Sequence, residues 1–83
     1  MIIIAGSTLI DVEKAVEVMI VKDETTNAYK LRLDFGNVEI TLDLPNVTDQ
    51  DVNKVLSWIA RYKNSDVIYT VDQLLKDAGV GGQ

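Results

Sequence analysis

The chain of 83 residues contains no cysteine and no histidine. Without cysteine it has neither a disulfide framework nor a thiolate metal site. Without histidine it also lacks the commonest general base and the commonest transition-metal ligand. We therefore expect no enzymatic activity, no metal site and no cofactor, and a fold that is held together by packing alone.

Basic residues are scarce as well. The chain has 8 Lys and Arg against 13 Asp and Glu, which gives a formal net charge of −5. Because proteins bind nucleic-acid backbones by neutralising phosphates with Lys and Arg, this balance argues against direct binding to nucleic acid. Long-range attraction instead favours a protein partner that has a basic surface.

Long hydrophobic runs are absent. The apolar run at residues 2–5 has no Lys or Arg before it, which is unlike a signal peptide. No segment reaches the length of about 20 apolar residues that a membrane span needs. We expect no membrane association and a cytoplasmic location, in a bacterium or an infected host cell.

The strongest pattern in the chain is a β-hairpin. Residues 29–35 and 38–44 alternate apolar and polar side chains on both sides of Gly36-Asn37, a two-residue turn sequence. This arrangement predicts four facing apolar pairs: Phe35 with Val38, Leu33 with Ile40, Leu31 with Leu42, and Tyr29 with Leu44. A slip of one residue would bury the polar side chains instead, so the pattern specifies the register.

The N-terminal third is harder to assign. Residues 2–5 have no polar face, which suits a strand covered on both sides or protected by a second subunit. Residues 8–21 contain a passable helical stripe, but the β-branched residues between 16 and 21 favour a strand over residues 15–22. We leave residues 8–14 irregular and expect a hairpin loop at residues 23–27.

Two helices are predicted after Pro45, which ends the sheet because a central strand cannot lose a backbone donor. The first covers residues 48–63, with Thr48 as N-cap and apolar residues at positions 52, 55, 56 and 59. The second covers residues 71–78, after a capping box at Thr70 and before Gly79.

These elements predict an α+β fold. Its sheet is an antiparallel meander of three or four strands, with residues 2–5 as the possible fourth, and both helices cover one face. Residues 1–79 form a single domain, and residues 80–83 form a flexible Gly-rich tail.

The first helix has a wider apolar arc than it needs. With Trp58, Ala60 and Tyr62 included, the arc spans roughly 200°, whereas about 100° suffices to cover one sheet. The two aromatic side chains admit two interpretations. They either pack in the core or project from the helix flank as interface anchors, a role in which Trp and Tyr are common.

Carboxylates are concentrated on the outer face of the predicted sheet. The set consists of Glu17, Asp34, Glu39 and Asp43. One interpretation is an ordinary solvated face, and the other is an array that docks on a basic groove of a partner. On this face Lys30 would sit opposite Asp43, and Arg32 would reach diagonally to Glu39.

The N-terminal strand offers a second candidate contact. Ile2, Ile3 and Ile4 would invite pairing with another chain if they lay on an open edge. A homodimer through these residues is the corresponding expectation.

The chain ends in Gly81-Gly82-Gln83. This ending resembles that of the prokaryotic ubiquitin-like modifier, in which the last Gln is converted before conjugation. The resemblance covers three residues and implies a carrier or modifier. The predicted element order differs from the ubiquitin type, in which a helix separates two hairpins. The alternative is a frayed glycine tail.

The function that we expect is a non-enzymatic protein-binding module that inhibits or regulates a partner. In format it resembles the small acidic accessory proteins of phages and mobile elements, including those that block host defence nucleases; this is an analogy of format. Carboxylates would steer the domain onto a basic surface, and an aromatic anchor would hold it. The alternative is a self-assembling structural subunit of a virion or another homo-oligomer.

Overall fold

Two three-stranded sheets and two helices form an α+β fold in the computed structural model, which describes residues 1–81. The elements are β1 (Ile2–Ala5), β2 (Thr8–Asp11), β3 (Glu17–Lys22), β4 (Tyr29–Asp34), β5 (Glu39–Leu44), α1 (Val52–Tyr62), β6 (Ile68–Thr70) and α2 (Val71–Asp77). Short 3₁₀ turns at Val12–Lys14 and Asp49–Asp51 precede β3 and α1 respectively.

The predicted hairpin is confirmed. The strands β4 and β5 are antiparallel, with Leu33 opposite Ile40 and Leu31 opposite Leu42. At the turn the Phe35 N–H donates to the Val38 carbonyl at 2.9 Å. Strand β3 pairs with the other side of β4, so these three strands form an antiparallel meander, which we call the meander sheet.

The inner face of the meander sheet is the main source of the hydrophobic core. Leu31 and Leu33 in the central strand are fully buried. Their neighbours in the outer strands are partly buried and pack against the core, namely Val18, Ile20, Ile40 and Leu42. Val38, at the hairpin turn, is 53% exposed and is the exception among the predicted apolar pairs.

The N-terminal strand does not extend the meander. Strand β1 lies in the middle of a second sheet, the N-terminal sheet, between β2 on one side and β6 on the other. It is antiparallel to β2 and parallel to β6. Residues 8–11, which the sequence left irregular, form β2. Their tight connection to β1 through Gly6, whose φ is +62°, makes the second hairpin.

Only one face of this second sheet is buried. Ile3 lies in a buried row between Ile10 and Tyr69, whereas Ile4 is 38% exposed on the opposite face. The expectation that residues 2–5 are covered on both sides within the chain is therefore wrong. The helices are also divided between the sheets: α2 packs on β6 and β1, and α1 packs against β3.

After α2 the chain turns back, and Val80, the first residue of the predicted tail, is buried. Gly79 has a φ of +92°, and its N–H donates to the Lys76 carbonyl at 3.1 Å. The Val80 N–H then donates to the Leu75 carbonyl at 2.9 Å, and both side chains are buried. These paired bonds form a Schellman motif, which folds the chain back onto the helix. Of the remaining tail residues, Gly82 and Gln83 lie outside the described residues.

A carboxylate anchors the start of α1. The N–H and the hydroxyl of Thr48 both donate to Asp51 Oδ2, at 3.1 and 3.0 Å. The Thr48 N–H is the main cause that holds the pKa of Asp51 below its ordinary value, followed by the Thr48 hydroxyl. Lys54, whose Nζ lies 3.6 Å from Asp51 Oδ1, acts in the same direction.

We predict that Asp51→Asn is less stable than the parent chain at neutral pH. Because the pKa of Asp51 is lower in the folded state, its stabilisation is present above the unfolded-state pKa of about 3.9 and is lost as the pH falls through the folded-state value. Urea unfolding across this range should show the two proteins converging in acid. Asp66→Asn, which removes an exposed carboxylate elsewhere, is the control. A gap that persists unchanged in acid would contradict the assignment.

Candidate functional site

Three carboxylates form a row across the outer face of the meander sheet. Glu17 in β3 pairs with Asp34 in β4, and Asp34 pairs with Glu39 in β5. Because directly paired residues of neighbouring strands project from the same face, the three side chains stand side by side. We call these three residues the carboxylate row.

The spacing in this row is fixed by the sheet. Directly opposed side chains have Cβ atoms about 4.5–5.5 Å apart, and like charges in such positions destabilise the pair. Arg32 counters the charge of the row: its guanidinium donates to the Glu39 carboxylate. The pKa of Arg32 is raised chiefly by this hydrogen bond and by the Glu39 charge, with smaller contributions from Asp34 and Glu17.

Asp43 belongs to a different part of the face. Its Oδ1 lies 3.8 Å from Lys30 Nζ, at the opposite end of the sheet from the carboxylate row. Lys30 is also 3.9 Å from Asp23. The structure thus brings three of the four predicted carboxylates together and places the fourth in an ion-paired group of its own.

The two aromatic side chains on α1 are engaged with the core. Trp58 and Tyr62 are both partly buried, and their ring centroids lie 4.6 Å apart. The indole N–H of Trp58 donates to the Tyr69 hydroxyl at 3.2 Å. Their contribution to any binding surface is therefore limited to their exposed parts.

A groove that the sequence did not identify runs between β3 and α1. It has a volume of about 290 Å³ and is lined by Val16, Glu17, Val18, Leu56, Ile59, Ala60 and Lys63. Among the lining residues, Lys63 donates from its Nζ to the Ala15 carbonyl at 3.0 Å. Of the residues that widen the apolar arc of the helix, Ala60 lines this groove.

The N-terminal sheet presents an apolar outer face. Ile4 pairs with Leu9 in β2, and Ile2 pairs with Ile68 in β6, so these four side chains share one face. Leu9 is 70% exposed and Ile68 is 64% exposed. We call this group the aliphatic face. The sequence identified Ile2, Ile3 and Ile4 as candidate contacts. Ile2 and Ile4 belong to the aliphatic face, whereas Ile3 points into the core.

An open depression of about 520 Å³ lies beside the start of α1. At its wall the Tyr29 hydroxyl donates to the Asp49 carboxylate, and this bond is the main cause that raises the pKa of Tyr29. Lys22 Nζ lies 3.8 Å from the same carboxylate. Tyr29 and Lys22 thus both interact with the Asp49 carboxylate.

Within residues 1–81 no group of three or more Asp and Glu side chains is arranged to hold a metal ion. Neither helix in the described part of the chain has the length and apolarity needed to cross a membrane. Comparison with protein families, with curated proteins and with solved structures finds no match to this chain.

We predict that Glu17→Lys raises the free energy of unfolding. The change replaces a like-charge pair with Asp34 by an opposite-charge pair, a difference of about 0.2–1 kcal/mol. Urea unfolding at low ionic strength should show the gain, and added salt should reduce it because exposed charges are screened. Glu24→Lys makes the same change in net charge in a loop. Equal effects of the two substitutions would show that the row carries no local repulsion.

Proposed function

We propose that this chain is a non-enzymatic protein-binding module that inhibits or regulates a partner by occupying a basic surface. The observation that carries the proposal is the carboxylate row, in which Glu17, Asp34 and Glu39 stand on three neighbouring strands. A sheet that served packing alone would gain stability from alternating charges at these positions.

A partner that supplies basic groups would replace the repulsion between the carboxylates of the row by attraction. Lys or Arg side chains placed against the row would neutralise the repulsion and form charge-assisted hydrogen bonds with the carboxylates. The sheet holds the three carboxylates at a fixed spacing, so less ordering is required on binding. The net charge of −5 would also accelerate encounter with a basic surface.

The biological setting is part of the proposal. A small acidic binder that covers a basic groove would suit a phage or mobile-element accessory protein that blocks a nucleic-acid-binding enzyme of the host. This setting rests on the format of the chain, which is an analogy. The proposed inhibition itself rests on charge and geometry.

The test is a comparison of two triple variants with the same net charge. The first neutralises the row with Glu17→Gln, Asp34→Asn and Glu39→Gln. The second, the control, neutralises exposed carboxylates elsewhere with Glu13→Gln, Glu24→Gln and Asp66→Asn. Proteins captured by the parent chain from lysate of the source organism are identified by mass spectrometry, and a captured protein is then purified for titration.

We expect the row variant to bind the purified partner at least about tenfold more weakly, a loss of roughly 1.4 kcal/mol. Its binding should also depend less on salt, whereas the control should bind nearly as the parent chain does. Equal affinities and equal salt dependence of the two variants would contradict the proposal.

A second candidate function is self-association through the aliphatic face. The observation that favours it is the exposure of Leu9 and Ile68 beside Ile2 and Ile4 on one sheet face. Exposed apolar patches of this kind mark interaction sites on soluble proteins. The aliphatic face spans three strands of at most four residues each. Its area is therefore smaller than the roughly 800 Å² per partner that a standard interface buries. A weak homodimer is therefore the expected form.

Sedimentation velocity over a range of concentrations tests this second candidate. The parent chain should show a mass that rises with concentration, and Leu9→Lys should remain monomeric because it places a charge in the apolar contact. Val38→Lys introduces the same charge at an exposed apolar residue on the other sheet and should behave as the parent chain does. A parent chain that stays monomeric throughout would exclude self-association.

A further inference from the structure

The outer side of β3 is an open sheet edge. Strand β3 pairs with β4 on one side, and within residues 1–81 no strand pairs with its other side. Alternate N–H and C=O groups along an edge strand point away from the sheet and are able to pair with another chain. The backbone of Glu17–Lys22 therefore offers a template for one more strand.

The helix α1 flanks a groove beside strand β3. The groove beside β3 is bounded on the sheet side by Val16 and Val18 and on the helix side by Leu56, Ile59 and Ala60. Val18 belongs to the inner face of the meander sheet, where it pairs with Leu33. The groove thus lies between the edge strand of the sheet and the helix.

The dimensions of the groove suit side chains of an extended segment. Its volume of about 290 Å³ lies at the lower limit of the range of about 300–1,000 Å³ that is typical of small-molecule pockets. A strand added beside β3 would lie about 4.8 Å from it and would direct every second side chain towards the helix. Apolar side chains at those positions would cover Val16, which is 72% exposed, and the flank of α1 that carries Ala60.

The opposite face of the added strand would meet charge. Glu17 lies at the β3 end of the carboxylate row, so the next cross-strand position beyond it would continue the line through Asp34 to Glu39. A Lys or Arg in that position would form a favourable cross-strand pair, whereas a fourth carboxylate would extend the repulsion. The side chain of the added strand that lies beside Glu17 is therefore expected to be basic.

We propose that β3 binds an extended segment of a partner protein as a fourth strand of the meander sheet. Apolar side chains of the segment fill the groove beside α1, and an intervening Lys or Arg side chain lies beside Glu17. This inference rests on the proposed function and gives its basic partner a specific form. Backbone pairing supplies the affinity, and the groove and carboxylate row select the sequence.

The probe for the test is a synthetic peptide with acetylated and amidated ends, Lys-Val-Lys-Leu-Lys-Val-Lys. A second peptide of the same composition, Lys-Lys-Val-Leu-Val-Lys-Lys, disrupts the alternation. Both are titrated into the ¹⁵N-labelled chain and followed by NMR, with amide hydrogen exchange measured in the presence of each. Ala60→Gln partly fills the groove without a change in charge, and Asn53→Gln makes an equally exposed change on α1 at a residue that does not line the groove.

The alternating peptide should shift the resonances of β3 and of residues 56–63 and should slow exchange of the outward-facing β3 amides. We expect about tenfold weaker binding to Ala60→Gln and to the disrupted peptide, and unchanged binding to Asn53→Gln. Equal binding of both peptides, with shifts at Asp34 and Glu39 but no slowed β3 exchange, would overturn strand addition while leaving the proposed function intact. No binding of either peptide would also overturn strand addition. The proposed function is tested separately, by the comparison of the two triple variants.

Discussion

The register of β4 against β5 determines which side chains of the hairpin are buried and which are exposed. With Leu33 opposite Ile40, every apolar residue of the central strand points to one face and every charged residue to the other. Since side chains alternate along a strand, a shift of one residue would exchange the two faces. The same pairing therefore sets the buried face of the hairpin and places Asp34 beside Glu39 on the outer face.

The division into two sheets determines which surfaces remain for other molecules. The meander sheet uses its inner face for the core and leaves its outer face and the β3 edge open. The N-terminal sheet buries the row Ile10–Ile3–Tyr69 and leaves the aliphatic face open. The charged surface and the apolar surface thus lie on different sheets, which allows the proposed partner contact and the proposed self-association to be tested separately.

Local patterns made much of this fold predictable from the sequence. The alternation around Gly36-Asn37 gave the hairpin and its register, and the caps at Thr48 and Thr70 gave the starts of both helical segments. The parallel pairing of β1 with β6 joins residues more than 60 positions apart, and no local pattern specifies such a pair. Val80 was assigned to the tail because a Gly-rich sequence does not reveal that a Schellman motif will return it to the core.

The candidate site was predictable only in part. Glu17, Asp34 and Glu39 were identified as outer-face residues, but their alignment in one row required the pairing of β3 with β4. Predicting the groove would have required the position of α1 relative to the β3 edge. The apolar arc of the helix, roughly 200° wide, does not specify that position. Distances between elements far apart in sequence are set by packing, which a pattern of residue types along the chain does not contain.

The most direct test of the central claim compares substitutions on the two faces of the hairpin. Leu33→Ala removes a fully buried side chain and should lower the free energy of unfolding by about 2–5 kcal/mol. Thr41→Ala, on the exposed face, should lower it by no more than about 1 kcal/mol. Urea unfolding of both variants gives the two values. Equal losses, or a greater loss for Thr41→Ala, would contradict the register from which both faces of the meander sheet follow.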